Sequence, residues 1–158
     1  MPIDDKQLKK ATGYAFLLLK YRPRSIAEFT EKLTKRGFSQ DIIDELLNDF
    51  KKRGFLDDLK FAKLLIQDRI KLKPMGRFKL KQELNAKGIS EFDSDDALEA
   101  MSGEMDEYEA ASKLAQSKLK QFKGVDKVIA KRRLVSFLGR RGFSYDAVFK
   151  AVKEAIAK

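Results

Sequence analysis

The chain has 158 residues, 43% hydrophobic and 37% charged, with 34 basic against 24 acidic side chains and a net charge of +10. It contains no Cys and no His, which removes disulfides, a thiol nucleophile, the commonest general base and the commonest zinc ligand. The longest apolar run, Tyr14–Leu19, is far too short to span a bilayer and no secretory signal is visible, so an intracellular, soluble protein is expected.

Nearly every segment carries apolar residues at the 3.6-residue helical period, and none alternates long enough for a strand. Leu8, Ala11, Ala15, Leu18 and Leu19 stripe a first helix that Pro23 stops. Ser25 with Glu28 forms a capping-box pattern for a second helix, striped by Ile26, Phe29 and Leu33 and ended at Gly37. Ser39 caps a third, striped by Ile42, Ile43, Leu46, Leu47 and Phe50 and ended at Gly54. Asp57 caps a fourth through Leu59, Ala62, Leu65, Ile66 and Ile70. Pro74 and Gly76 interrupt, and a short fifth helix carries Phe78, Leu80 and Leu84 as far as Gly88. Ser90 or Ser94 starts an acidic sixth that reaches Met101. Tyr108, Ala111, Leu114, Ala115, Leu119 and Phe122 stripe a seventh, broken at Gly124, and Val128, Leu134, Val135 and Leu138 an eighth. Ser144 caps a last helix with Val148, Phe149, Val152 and Ile156. Softer joints are expected at 102–104, around Gly103, and near Lys73–Gly76.

Three segments are versions of one another: Lys35–Ser39 (Lys-Arg-Gly-Phe-Ser), Ala86–Ser90 (Ala-Lys-Gly-Ile-Ser) and Arg140–Ser144 (Arg-Arg-Gly-Phe-Ser). Their glycines are 51 and 54 residues apart, the mark of one supersecondary unit used three times. Leu33, Leu84 and Leu138 precede the glycine by four positions, and Arg36, Lys87 and Arg141 by one. The fold expected is all-α: three tandem three-helix repeats, over 1–56, 57–103 and 104–158, forming an elongated, curved molecule.

Charge is unevenly spread. Residues 1–90 are net +9, residues 91–110 hold nine acids and no base, and residues 111–158 are net +10. The middle repeat has a basic corner near 69–81, with Arg69, Lys71, Lys73, Arg77, Lys79 and Lys81, followed by Lys87, against one acid, Glu83. Opposite charges at i,i+4 are scarce there, so a neutralising partner is expected. Lys127, Lys131, Arg132, Arg133, Arg140 and Arg141 form a second cluster. The first repeat offers Arg22, Arg24, Lys35, Arg36, Lys51, Lys52 and Arg53. These patterns point to nucleic acid or an acidic protein surface.

Other readings of the same residues are weaker. No Gly-Lys-Ser or Gly-Lys-Thr follows a glycine-rich loop, so the repeated glycines read as helix stops and not as a phosphate cradle. In a helix-turn-helix reader the helix after the turn enters the major groove. Here those helices bear Asp41, Asp44, Glu45 and Asp49, then Asp93, Asp95, Asp96 and Glu99, which phosphates would repel. Asp57 and Asp58 read as a cap and a first-turn acid, not a catalytic pair. The Tyr and Phe residues fall on helical stripes and read as core.

The residues already named resemble the RecX family, bacterial regulators of the RecA recombinase. The resemblance covers nearly the whole chain. It is carried by Arg22-Pro23-Arg24-Ser25 with Glu28 and Leu33, Arg36-Gly37-Phe38, Gly54-Phe55-Leu56-Asp57-Asp58, Phe61-Ala62, and Lys73-Pro74-Met75-Gly76. Leu84, Lys87-Gly88-Ile89, Phe137-Leu138 and Arg141-Gly142-Phe143-Ser144-Tyr145 continue it. Phe55 stands where Tyr is usual and Lys60 where Arg is frequent. The resemblance implies three three-helix units in a cytoplasmic bacterial protein of DNA repair and the SOS response. It implies binding in the groove of RecA–single-stranded DNA filaments, and damping of strand exchange, ATP hydrolysis and co-protease activity.

The expectation is therefore a monomeric, non-enzymatic regulator with no cofactor, no metal and no membrane partner. Its partners are the RecA filament and DNA, single- and also double-stranded. The residues expected to meet them are Arg22, Arg24, Arg69, Lys71, Lys73, Arg77, Lys79, Lys81, Lys127, Lys131, Arg132, Arg133, Arg140 and Arg141. A general, sequence-independent nucleic-acid-binding module is the competing reading, and an enzyme working through carboxylates is a third with no constellation behind it.

Overall fold

The computed structural model describes residues 3–157, and all regular structure among them is helical. The α-helices are α1 (Asp5–Tyr21), α2 (Ile26–Lys35), α3 (Gln40–Lys52), α4 (Asp58–Leu72), α5 (Arg77–Ala86), α6 (Glu91–Ala100), α7 (Glu107–Leu119), α8 (Lys127–Arg140) and α9 (Tyr145–Ala157). Short 3₁₀ turns cover Ser102–Glu104, at the expected joint, and Lys120–Phe122, where α7 tightens before Gly124.

Local chemistry sets the helix limits. Ser25 and Glu28 make the full capping box: the Glu28 N–H donates to Ser25 Oγ over 3.1 Å and the Ser25 N–H to Glu28 Oε1 over 3.3 Å. Ser39, Asp57 and Ser144 cap α3, α4 and α9 as expected. At α6 the cap is Ser90, while Ser94 lies buried inside the helix.

The three repeated turns close in one way. Gly37, Gly88 and Gly142 have φ of 93°, 80° and 82°, a region open to glycine at little cost. The next residue's N–H then reaches back to the leucine carbonyl: Phe38 to Leu33, Ile89 to Leu84 and Phe143 to Leu138, at 3.3, 3.1 and 3.4 Å. This is the Schellman closure, in which an apolar residue after the glycine covers the one four before it. It explains why leucine, glycine and an apolar residue recur at fixed offsets.

The chain divides into two compact units, one of residues up to Ala62 with Leu84–Ser94, the other of Lys63–Glu83 with residues from Asp95 onward. In the first, Ala11, Ala15, Leu18, Phe29, Leu33, Ile42, Ile43, Leu46, Phe50 and Leu56 form the core, and the Phe29 and Phe50 rings lie 5.6 Å apart. In the second, alanines on α7 and α9 (Ala111, Ala115, Ala151, Ala155) let the helix backbones approach around Leu134, Leu138, Phe143, Val148 and Val152.

Each unit holds a seam between successive repeats, built to the same plan. In the first unit, Ser25 Oγ donates to the Lys87 carbonyl over 2.6 Å, and Asp58 Oδ1 accepts the Ile26 N–H over 2.8 Å. In the second, the Gly76 and Phe78 N–H groups donate to the carbonyls of Arg141 and Gly142 over 2.8 and 3.2 Å, and Glu107 Oε1 accepts the Arg77 N–H over 2.6 Å. The start of a repeat's second helix thus sits on the basic-glycine turn of the next repeat. An acid at the first position of the next repeat's first helix caps it. Gly76, the last residue of the expected soft joint Lys73–Gly76, is held by one of these bonds.

Several stripe residues depart from expectation. Phe78 is 66% exposed and Val128 65%. Phe78 precedes Leu80 by two residues, about 200° round the helix, and Val128 is about 120° from Leu134, so neither shares the buried stripe. Phe16, Tyr21, Phe55, Phe92, Tyr145 and Phe149 are also exposed, which corrects the core expectation for these residues, while Phe29, Phe50, Phe61 and Phe143 are buried in line with it.

Candidate nucleic-acid interface

The cations singled out by sequence have three different environments. The first is structural. Arg22 pairs with Glu28 at 2.5 Å, and Lys87 reaches the same carboxylate at 3.5 Å. Burial alone would push the Glu28 carboxyl up, but the Arg22 hydrogen bond, the Ser25 N–H and the Lys87 charge hold it at about 2. The Arg22 guanidinium is pushed up in turn, mainly by its hydrogen bond to Glu28. Arg24 Nε donates to the Leu18 carbonyl over 3.1 Å, satisfying an orphan acceptor in the last turn of α1.

The basic corner is the second environment. Arg69 Nε meets Glu83 at 2.7 Å and Arg69 Nη1 meets Asp68 at 2.9 Å, while Lys81 Nζ meets Asp95 at 3.0 Å. Glu83 and Asp95 lie 14 residues beyond their partners, so the scarcity of i,i+4 acids did not show this compensation. Lys79 is half-buried, its backbone packed against Gly142. Lys71, Lys73 and Arg77 are exposed, without an ion pair among the described residues.

The third lies on α8. Lys118, Phe122, Arg132, Arg133, Ser136, Phe137 and Arg140 line an open groove of about 420 Å³ between the end of α7 and α8. It holds four cations, two aromatic rings and no carboxylate. Arg133 lies 5.7 Å from the Phe122 ring centroid, and Lys118 and Arg141 lie 5.0 and 5.5 Å from that of Phe137, within cation–π range. Arg132, Arg133 and Arg140 are exposed, with no ion pair among the described residues. Arg141 is half-buried, and its Nη1 is fully buried without a hydrogen-bond acceptor.

The structure therefore brings Arg132, Arg133 and Arg140 together. At about 100° per residue, Lys127 and Lys131 fall on another side of α8 and do not line the groove, although both are exposed. Sequence reasoning missed Lys118, Phe122 and Phe137. The available signal was the four-residue spacing of Arg133 and Phe137, which places a cation and a ring on one helical face.

Family profiles for the first, second and third three-helix domains of RecX match residues 11–50, 57–98 and 105–152. The chain belongs to the RecX family. It is 30% identical over 155 residues to the regulatory protein RecX of Amycolatopsis mediterranei, covering 96% of this chain and 86% of that protein. It is 30% identical over 156 residues to that of Prosthecochloris aestuarii, covering 98% and 99%. A crystal structure of RecX from Lactobacillus salivarius shares the fold, with a TM-score of 0.86 at 21% identity over 97% of this chain and 99% of that one. The repeats are thus RecX three-helix domains, and the chain carries a RecX-type regulatory role. Among the described residues, no helix is long and apolar enough to cross a membrane, and no group of three or more acidic side chains is placed to hold a metal ion.

Proposed function

We propose that this chain regulates a RecA-type recombinase by binding its filament on single-stranded DNA, damping strand exchange, ATP hydrolysis and co-protease activity without catalysing a reaction itself. The action is cytoplasmic, in DNA repair and the SOS response, by a monomer. Membership of a family of regulatory proteins named RecX supports the regulator reading.

One observation carries the DNA side: α8 bears Arg132, Arg133 and Arg140 in a groove whose lining contains no acid. Cations left without carboxylates are compensated by phosphate, with release of condensed counterions. Lys71, Lys73, Arg77, Lys127 and Lys131 add exposed charge that attracts single- or double-stranded DNA without sequence preference. Arg22, Arg24, Arg69 and Lys81 act chiefly by holding the helices that carry those charges, and Lys79 sits half-buried beside Gly142.

The test is the DNA-dependent ATPase of RecA at stoichiometric ratios of the chain. Damped turnover is expected, and unchanged turnover sinks the regulator reading. The same groove also favours a second reading, a general nucleic-acid-binding module. Co-sedimentation with filaments is then no greater than with bare single-stranded DNA, whereas the regulator prefers filaments.

A further inference from the structure

We infer that the α7–α8 groove is a subsite for one unstacked nucleotide of a single-stranded polynucleotide, its phosphates on Arg132 and Arg140 and its base on the Phe122–Phe137 side. This rests on the reading of the chain as a protein that acts at single-stranded DNA, and it assigns the strand contact to named groups.

Three features of the groove converge on that ligand. Its lining carries Lys118, Arg132, Arg133 and Arg140 with no acid, so the ligand is anionic. Residues 132 and 140 are separated by about 12 Å of helix axis, a span that admits more than one phosphate, with the Ser136 hydroxyl between them as a further donor. The cations lie against rings, Arg133 against Phe122 and Lys118 against Phe137. An arginine beside a ring brings a second planar group to the same place, and aromatic side chains and guanidinium planes stack bases of any identity.

Stacking separates a strand from other polyanions. In a duplex the base faces are covered by their neighbours, so only the phosphate contacts remain. A carboxylate-rich peptide likewise satisfies the arginines and leaves the rings unused. The groove is therefore selective for bases that are already unpaired.

The experiment uses the full chain and fluorescence anisotropy over a salt series. The probes are labelled oligodeoxythymidylate, oligouridylate of the same length, a blunt duplex and a polyglutamate peptide. An Arg132→Ala/Arg140→Ala double variant should bind the single strand at least about tenfold more weakly. Its slope of log affinity against log salt should fall by about 1.4, at roughly 0.7 per phosphate contact on a single strand. Phe122→Leu should weaken single-strand binding by about fivefold or more, leaving that slope and duplex binding unchanged. Deoxy- and ribo-strands should bind alike. Far-UV circular dichroism checks that the variants fold.

The assignment is overturned if the double variant binds the strand like the native chain. It is overturned too if Phe122→Leu weakens duplex as much as strand, if polyglutamate binds as tightly as the oligonucleotide, or if one sugar is preferred more than tenfold. RecA ATPase is read in parallel. Damping by the native chain together with unaltered strand binding by the double variant removes only the groove assignment. Lost strand binding together with unchanged ATPase removes only the regulator reading.

Discussion

Asp58 Oδ1 accepts the backbone N–H of Ile26 over 2.8 Å, from 32 residues further along the chain. The bond caps α2 from outside its own sequence neighbourhood, as Glu107 caps α5 through the Arg77 N–H. Burial pushes the Asp58 carboxyl up, the Ile26 N–H opposes this, and the nearby Asp93 charge adds to the rise. A raised folded-state pKa means that ionised Asp58 costs the fold some stability as pH rises through that pKa. Asp58→Ala leaves the Ile26 N–H without its acceptor and should destabilise by about 1 kcal/mol in urea denaturation at neutral pH. Asp58→Asn keeps an acceptor without the buried charge and should be neutral or stabilising.

Glu28 has the opposite sign. Its folded-state pKa of about 2 lies below the ordinary 4.5, so ionised Glu28 stabilises the fold above about pH 4.5. That contribution drains away as pH falls toward 2, because the folded state must then accept the proton. It amounts to about 3 kcal/mol at most, and less in practice because Arg22 is 44% exposed and screened by solvent. Glu28→Gln should lower the melting temperature at pH 7, and the gap from the native chain should narrow steadily between pH 4.5 and 2.

The repeated glycines should rank by what surrounds them. At Gly37 an added Cβ meets nothing within 4 Å, at Gly88 it lies 2.3 Å from Ala27 Cβ, and at Gly142 it lies 2.3 Å from the Lys79 backbone nitrogen. All three carry the cost of positive φ, about 1–2 kcal/mol for a residue with a Cβ. Gly37→Ala should cost only that. Gly88→Ala should add a further ~1–3 kcal/mol of overpacking, and Gly142→Ala, which meets backbone, should be the most damaging. Urea midpoints of the three variants check the order.

Within the basic corner, Arg69 and Lys71 should part company. Arg69 pairs with Glu83 and Asp68, so Arg69→Ala should destabilise by about 1 kcal/mol. Lys71 is exposed, so Lys71→Ala should change stability by less than about 0.5 kcal/mol. Thermal denaturation of both variants at one salt concentration separates a cation that holds the fold from one that is free for a ligand.

Residue by residue, the helices were legible and the ion pairs were not. Ser25, Glu28 and Ser39 announced their caps because a capping bond closes within three residues. The leucine, basic residue and glycine of each turn announced the Schellman closure for the same reason. Phe78 and Val128 were misplaced where the helical angle was not followed strictly. Of the α8 groove, Arg132, Arg133 and Arg140 were in view, while Lys118 and Phe122 on the other side were not.

By itself the sequence determined the helices of the described residues, their stops and their threefold recurrence, since each rests on bonds and periodicities that span a turn or two of chain. Tertiary structure alone decided which charges are spent on the fold. Glu83 and Asp95 reach Arg69 and Lys81 across 14 residues, and Asp58 reaches Ile26 across 32. Electrostatic pairing depends on distance in space, which the packing of helices sets and the order of residues does not. The role proposed for Arg132 and Arg140 rests on a groove without carboxylates, which only the packing of α7 beside α8 creates.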